Sequence, residues 1–353
     1  MKAIVQDKYG SPDVLELKDI DKPAVDDDDV LVRVSAASVN AADWHIVRGS
    51  PYVLRIAMGL RRPKNPVPGI DVAGEVEAVG TNVKQHRPGD QVFGWCDGAF
   101  AEYACAGEDH FAPKPANLTF EQAAAVPVAA FTALQGLRDQ GRVQPGQKVL
   151  IIGASGGVGT FAVQLAKAFE ADVTGVCSAG NVELVRSIGA DHVIDYTRED
   201  FTRGRQRYDV IFQLAGTRSP SDLRRALAPR GTLVLSSGAG RFAGIDRIIK
   251  ALALSPFVRQ RLTTFVSKEN KADLIVLKEL IEAGKVTPVI DRRYLLSETP
   301  EAIRYLEKGH AQGKVVITVE RNDKWSNASP LMSAKRRMTE PREAGGNPSE
   351  NRP

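Results

Sequence analysis

One stretch restricts the fold more than any other. Lys148-Val149-Leu150-Ile151-Ile152 runs straight into Gly153-Ala154-Ser155-Gly156-Gly157-Val158-Gly159. Beyond it, Val158, Phe161, Ala162, Leu165 and Phe169 recur at helical spacing. A continuous apolar run of this length fits a strand buried on both faces of a parallel sheet, and the following spacing fits an amphipathic helix. Glycines at such a junction let the chain turn tightly, let backbone amides approach a pyrophosphate, and let the helix pack closely on its strand. The helix N-terminus adds free N–H groups and the positive end of its dipole. The loop predicts a dinucleotide site built on Gly153, Ser155, Gly156, Gly157 and Val158, although the same glycines could also serve a tight turn alone.

Around this unit two textures alternate. Residues 1–126 show short β-rich runs broken by Pro and Gly, at Lys2 to Asp7, Val30 to Ala37, Val72 to Gly80, Gln91 to Phe93 and Ala101 to Ala104, which suggests an antiparallel, barrel-like part. From 127 to 263 strands alternate with helices: after Lys148 to Ile152 come Asp172 to Val176, His192 to Asp195, Asp209 to Leu214 and Thr232 to Ser236. Repeated β-α-β units imply an α/β, doubly wound parallel sheet. Residues 264–320, with helices at Asp273 to Ala283 and Pro300 to His310 and a strand at Lys314 to Val319, read as a return to the first part. At 353 residues a two-domain body is the expected size.

Composition excludes several classes. Three cysteines, Cys96, Cys105 and Cys177, make neither a disulfide framework nor a four-cysteine zinc site, and no run of 18 apolar residues could span a membrane. Without a cleavage-type leader at Met1, a reduced, cytoplasmic protein is expected. The net charge of +4 is mostly in 321–353, where seven Lys/Arg oppose four Asp/Glu, leaving about +1 for the body. That tail lacks Ile, Val and Phe and reads as disordered. Its Lys335-Arg336-Arg337 cluster and the basic-apolar stretch from Ile245 to Phe257 leave open a nucleic-acid or membrane-surface role. A lid or interface helix is the other reading of the latter stretch, and no nucleic-acid partner is expected.

The second strand's end bears on which dinucleotide is bound. An acid there would hold the adenosine ribose and repel a 2′-phosphate. This chain has Cys177-Ser178-Ala179-Gly180-Asn181 instead. Ser178 and Asn181 can donate hydrogen bonds, so NADPH is expected, with NADH possible, even though no Lys or Arg lies between 178 and 182.

Several further segments occur in a telling order: Ala36-Ala-Ser-Val-Asn40-Ala-Ala-Asp43, Pro68-Gly-Ile-Asp71-Val-Ala-Gly74, Arg87-Pro-Gly-Asp90-Gln-Val-Phe-Gly94 and Val128-Ala-Ala-Phe-Thr132-Ala. With the glycine loop, they make residues 1 to 320 resemble the medium-chain dehydrogenase/reductase superfamily, in its zinc-independent, quinone oxidoreductase (zeta-crystallin-like) branch. The resemblance implies a GroES-like β-barrel domain beside a Rossmann domain, and a homodimer. The zinc branch places a Cys where this chain has Asn40 and a His where it has Ile70, and it carries a four-cysteine loop this chain lacks. No metal is therefore expected, and His45, His86, His110, His192 and His310 read as ordinary histidines.

Without a metal to polarise an alcohol, the chemistry expected is hydride delivery to an electron-poor carbon of a quinone or an α,β-unsaturated carbonyl. A reductase of enoyl thioesters is the near alternative, and a cofactor-binding protein acting through nucleic acid or membrane the distant one. The resemblance puts Asn40 beside the nicotinamide, where its amide could polarise a carbonyl or serve as a structural hydrogen bond. Tyr52 is the candidate proton donor, with solvent or a packed tyrosine as alternatives; Asp43 reads as a loop-fixing residue. By position, Thr132 is expected on the nicotinamide side, and Ser178, Asn181 and Tyr196 at the adenosine end. Leu214, Gly216 and Gly238 follow strand ends, and Lys314 either returns to the cleft or starts an exposed strand.

Overall fold

The computed structural model describes residues 1–216, 218–236, 251, 254–255 and 258–320. Residues Met1–Glu320 form one compact unit. The 321–353 tail, Gly238 and all but three residues of the Ile245 to Phe257 stretch lie outside the described residues.

The N-terminal strands are β1 (Lys2–Gln6), β2 (Leu15–Asp19), β3 (Asp29–Val39), β4 (Asp71–Val79), β5 (Gln91–Trp95), β6 (Tyr103–Gly107) and β7 (Phe111–Pro113). Helix α1 (Ala41–Arg48) follows β3, and α2 (Leu54–Met58), α3 (Phe120–Ala124) and α4 (Pro127–Gln135) come next. The βα series is β8 (Lys148–Ile152), α5 (Gly157–Ala168), β9 (Asp172–Cys177), α6 (Val182–Ser187), β10 (His192–Asp195), β11 (Tyr208–Gln213), α7 (Pro220–Leu223), β12 (Leu227–Ser236) and β13 (Arg261–Phe265). The chain returns through α8 (Lys271–Glu282), β14 (Ile290–Leu295), α9 (Thr299–Glu307) and β15 (Lys314–Thr318).

The second series forms a six-stranded parallel sheet in the order β10-β9-β8-β11-β12-β13. Order runs outward from β8 in both directions, so the β8/β11 junction is the switch point at which ligands bind in open sheets. The expected strand at Lys148 to Ile152 falls on β8. Val149, Leu150 and Ile151 are fully buried, and each such side chain contributes about 1.5–3 kcal/mol. On α5, Phe161, Ala162 and Leu165 are fully buried, while Val158 and Phe169 pack at the edge of the same core.

The other sheet is GroES-like and mainly antiparallel, in the order β14-β15-β3-β4-β5-β7, with β6 paired to β3. Here β15, late in the chain, lies against β3, with Val315 opposite Val39. Four strands escape the sequence reading: the short β2 and β7, and β13 and β14. β13 runs past residue 263 to complete the parallel sheet, and its polar Thr263 and Thr264 hide its period. β14 reads Ile-Asp-Arg-Arg-Tyr-Leu and is charged because it is an edge strand with few buried positions.

Candidate active site

Four side chains meet where β15, β3 and β4 end side by side. In the β3–β4 ladder Ser38 faces Asp71, and in the β15–β3 ladder the step beyond Val315–Val39 brings Lys314 to Asn40. Asp71 is fully buried, and Lys314 is only 3 % exposed. The Asp71 carboxylate accepts from Ser38 Oγ at 2.8 Å, Asn40 Nδ2 at 2.9 Å and Lys314 Nζ at 3.2 Å on one oxygen. Its other oxygen accepts from the Val128 amide at 3.0 Å, in the first turn of α4. Lys314 Nζ also donates to Asn40 Oδ1 at 2.5 Å. The reading of Lys314 as the start of an exposed strand is thereby excluded.

Asn40 precedes α1 and would ordinarily cap it. Its side chain is engaged by Asp71 and Lys314, and Asp43, at the third helical position, reaches back to accept the Asn40 backbone N–H at 2.6 Å. Asp43 is thus the loop-fixing residue expected. Its other oxygen is buried with no partner. Burial, chiefly, pushes the Asp43 carboxyl up to about 7, with the nearby Asp71 charge adding to the rise.

The glycine loop reaches this cluster. Gly156 pairs with Gly313 in an isolated bridge, and a Cβ on Gly157 would stand 3.1 Å from Lys314 Cδ. Gly153 takes φ +88, which favours glycine, and a methyl on Gly159 would collide with the Gly153 carbonyl oxygen. Above the loop lies a cleft of about 530 Å³. Gly153, Ser155, Gly156, Ser178, Asn181, Tyr196 and Gly216, all expected from sequence, line it together.

The remaining expected residues stand elsewhere. Val158 and Leu214 turn their side chains to the core, leaving only backbone for a ligand. The Thr132 hydroxyl donates to the Val128 carbonyl and lies 3.0 Å from Ser267 Oγ. Tyr52 is 76 % exposed, with the Arg55 guanidinium over its ring. Sequence reasoning missed Asp71 as a site residue, although it quoted the motif holding it. It also missed cleft-lining Phe201, Gln213, Arg218, His310 and Gln312. Gln213 ends β11 and the others come from loops, none of them within a motif of its own.

A nicotinamide dinucleotide fits these residues. Gly156 would place a Cβ no closer than 3.5 Å to any atom, which leaves its face of the loop open to a pyrophosphate. Asn181 donates to Ser155 Oγ and Ser178 Oγ, while its buried Oδ1 has no partner, and the Gln213 Oε1 is in the same state. Two orphaned acceptors on one cleft wall suit the hydroxyls of a nucleotide. The cleft's one thiol, Cys177, is pushed up to about 11 by burial, which disfavours its thiolate.

A Rossmann sheet with this cleft, joined to a GroES-like part that supplies a buried polar cluster, defines a nicotinamide-dependent oxidoreductase. Family profiles agree: an alcohol dehydrogenase GroES-like domain matches residues 26–116, and a zinc-binding dehydrogenase matches residues 188–317. The chain is 35% identical over 332 residues to a 2-methylene-furan-3-one reductase of Solanum lycopersicum, covering 90% of this chain and 79% of that one. An NADPH-dependent alkenal/one oxidoreductase of Arabidopsis thaliana, chloroplastic, matches with the same figures. Among solved structures, a quinone oxidoreductase from Coxiella burnetii superposes with a TM-score of 0.81 at 32% identity, covering 91% of this chain and 99% of that one. The chain belongs to the medium-chain dehydrogenase/reductase superfamily, in its quinone oxidoreductase-like branch. It is an NAD(P)H-dependent oxidoreductase.

Proposed function

We propose that this chain is a zinc-independent, NADPH-preferring reductase of quinones or α,β-unsaturated carbonyls. The observation that carries the reading is the Lys314–Asn40–Asp71 cluster beside the glycine loop: a buried ammonium is hydrogen-bonded to Asn40, the residue at which the resemblance puts a Cys ligand in the zinc branch. Zinc fits this donor set poorly. It needs thiolate, imidazole or carboxylate ligands converging on one point. Here Asn40 Oδ1 already accepts from Lys314, and the ammonium would repel a second cation. Among the described residues, no group of three His, Cys, Asp or Glu is placed to hold a metal ion.

The nicotinamide, when bound, supplies the hydride. Gly156 and the first turn of α5 would hold its diphosphate; Ser178, Asn181 and Tyr196 would hold the adenosine end. Asp71 fixes the Asn40 amide and the Lys314 ammonium in one orientation. Each keeps a further N–H for an oxygen on which negative charge develops. Preorganised donors in a buried site are the usual means of stabilising an enolate-like oxygen. Tyr52 stays a proton-donor candidate, in competition with water at its exposed position. NADPH preference is supported by the absence of an acid directly after β9; Arg218 also lines the cleft, its guanidinium ion-paired with Asp200 at 3.1 Å. Three free thiols suit a reducing compartment such as the cytoplasm, and a homodimer is the expected assembly. No helix among the described residues is long and apolar enough to cross a membrane.

Pure protein mixed with NADPH or NADH and a panel of small quinones and enones tests the proposal through nicotinamide absorbance. Oxidation with at least one acceptor, faster with NADPH, is expected. No oxidation with any acceptor, or stoichiometric zinc by elemental analysis, refutes it. Unchanged enone turnover in Tyr52→Phe would assign the proton to solvent.

A further inference from the structure

The chain between α1 and β4 exposes what a folded protein normally hides. From Gly49 to Ile70 there is no Asp or Glu, while Arg55, Arg61, Arg62 and Lys64 give +4. Within nine residues of this stretch, Tyr52, Val53, Ile56 and Leu60 are 76, 58, 72 and 72 % exposed. Among the described residues, only two other large apolar side chains, Tyr196 and Val266, exceed half exposure. Scattered surface apolar residues need no explanation, but a contiguous set does.

This surface is held in place. The Arg55 guanidinium donates to the Gly49 and Arg48 carbonyls and lies over the rings of Tyr9 and Tyr52. Tyr9 Oη donates to the Gly59 carbonyl at 2.7 Å, and the Lys64 amide to the Met58 carbonyl at 2.8 Å. Arg55 is therefore spent internally, whereas Arg61, Arg62 and Lys64 are exposed. Arg62 feels Asp7, but that carboxylate is engaged by Lys18.

We propose that this segment docks the protein on an anionic lipid surface. Apolar side chains flanked by basic ones match the two layers of a membrane interface, acyl boundary and anionic headgroups. A second copy of the chain is a poorer occupant, because a twofold contact would set +4 against +4. The segment also runs from α1, which Asn40 precedes, to β4, which begins with Asp71, so docking sets the active-site half of the molecule at the bilayer. It suits the proposed function if the acceptor is a lipid-soluble quinone, and it rests on that reading only for its purpose.

The test is sedimentation of the full-length protein with phosphatidylcholine vesicles, with and without 30 % phosphatidylserine, in the absence of substrate. Binding to the anionic vesicles is expected. Reversing three charges (Arg61→Glu, Arg62→Glu, Lys64→Glu) should weaken it by at least roughly 100-fold, at about fivefold per basic residue. Ile56→Asp with Leu60→Asp should abolish it, and Arg61→Lys with Arg62→Lys should keep it. All variants should retain NADPH oxidation with a water-soluble quinone. Absence of lipid binding by the parent protein overturns the proposal, as does undiminished binding by the reversed variants, which would locate the contact in another segment. Self-association that Ile56→Asp abolishes, without lipid binding, would give the surface to a second copy instead. Lipid binding without reduction of any quinone would uphold the surface and remove the substrate reading.

Discussion

Replacing Lys314 by Met keeps an unbranched side chain one atom shorter and removes its charge. Asp71 would keep hydrogen bonds from Ser38, Asn40 and Val128 but lose its cation, while remaining fully buried. Removing one partner of a buried ion pair costs about 3–5 kcal/mol, because the other charge stays desolvated and unpaired. At about 2 °C per kcal/mol for a chain of this size, the melting temperature should fall by about 6–10 °C. The Asn40 amide would also lose the donor that fixes its Oδ1. If Lys314 and Asn40 stabilise developing negative charge, kcat should drop by about 10²–10³. Adding Asp71→Asn to Lys314→Met removes the stranded carboxylate, so stability should recover to within about 2 kcal/mol of the parent while turnover stays lost. Calorimetry of the two single variants and the double variant, with NADPH oxidation alongside, reads both effects. A loss below 1 kcal/mol for Lys314→Met, or additive losses in the double variant, would refute the argument that the pair acts as one buried unit.

Asp43 makes stability depend on pH in an unusual direction for a carboxylate. Its folded pKa is raised to about 7 from the ordinary value of 3.8, so the folded state binds the proton more tightly. The Asp43 contribution to stability is present in full below about pH 4, declines as pH rises towards 7, and levels off above, a change of up to about 4 kcal/mol. Asp43→Asn should flatten that part of the profile in urea titrations at pH 5 and pH 8; an unchanged slope would remove Asp43 as its source. Two glycines separate folding from cofactor binding. Gly159→Ala sets a methyl against the Gly153 carbonyl and should destabilise by about 1–3 kcal/mol. Gly156→Ala has room for its methyl within the fold but fills the cleft floor, so it should melt normally and bind NADPH at least about tenfold more weakly by calorimetry.

The cofactor half of the site was legible because its parts are close in sequence. A buried strand, a glycine loop and an amphipathic helix make one local unit whose periods and turn residues leave few alternatives, and Ser178 and Asn181 follow one strand later. The substrate half was only partly legible. Asn40 and Lys314 stood out through a resemblance, yet what they touch did not: 274 residues separate them. Asp71 looked like one more motif residue until the β3–β4 register placed it under both. Tyr52, a reasonable candidate beside Arg48-Gly49, proved to face solvent, because Arg55 claims its ring.

What this chain settles by itself, then, is the α/β class, the glycine loop and its position at the end of β8, since these follow from local periodicity and glycine sterics. The tertiary structure alone decided that an ammonium, an amide and a carboxylate share one buried point. That juxtaposition depends on which strands lie side by side and in what register, and hydrogen-bonded pairing across hundreds of residues leaves no period in the sequence to read.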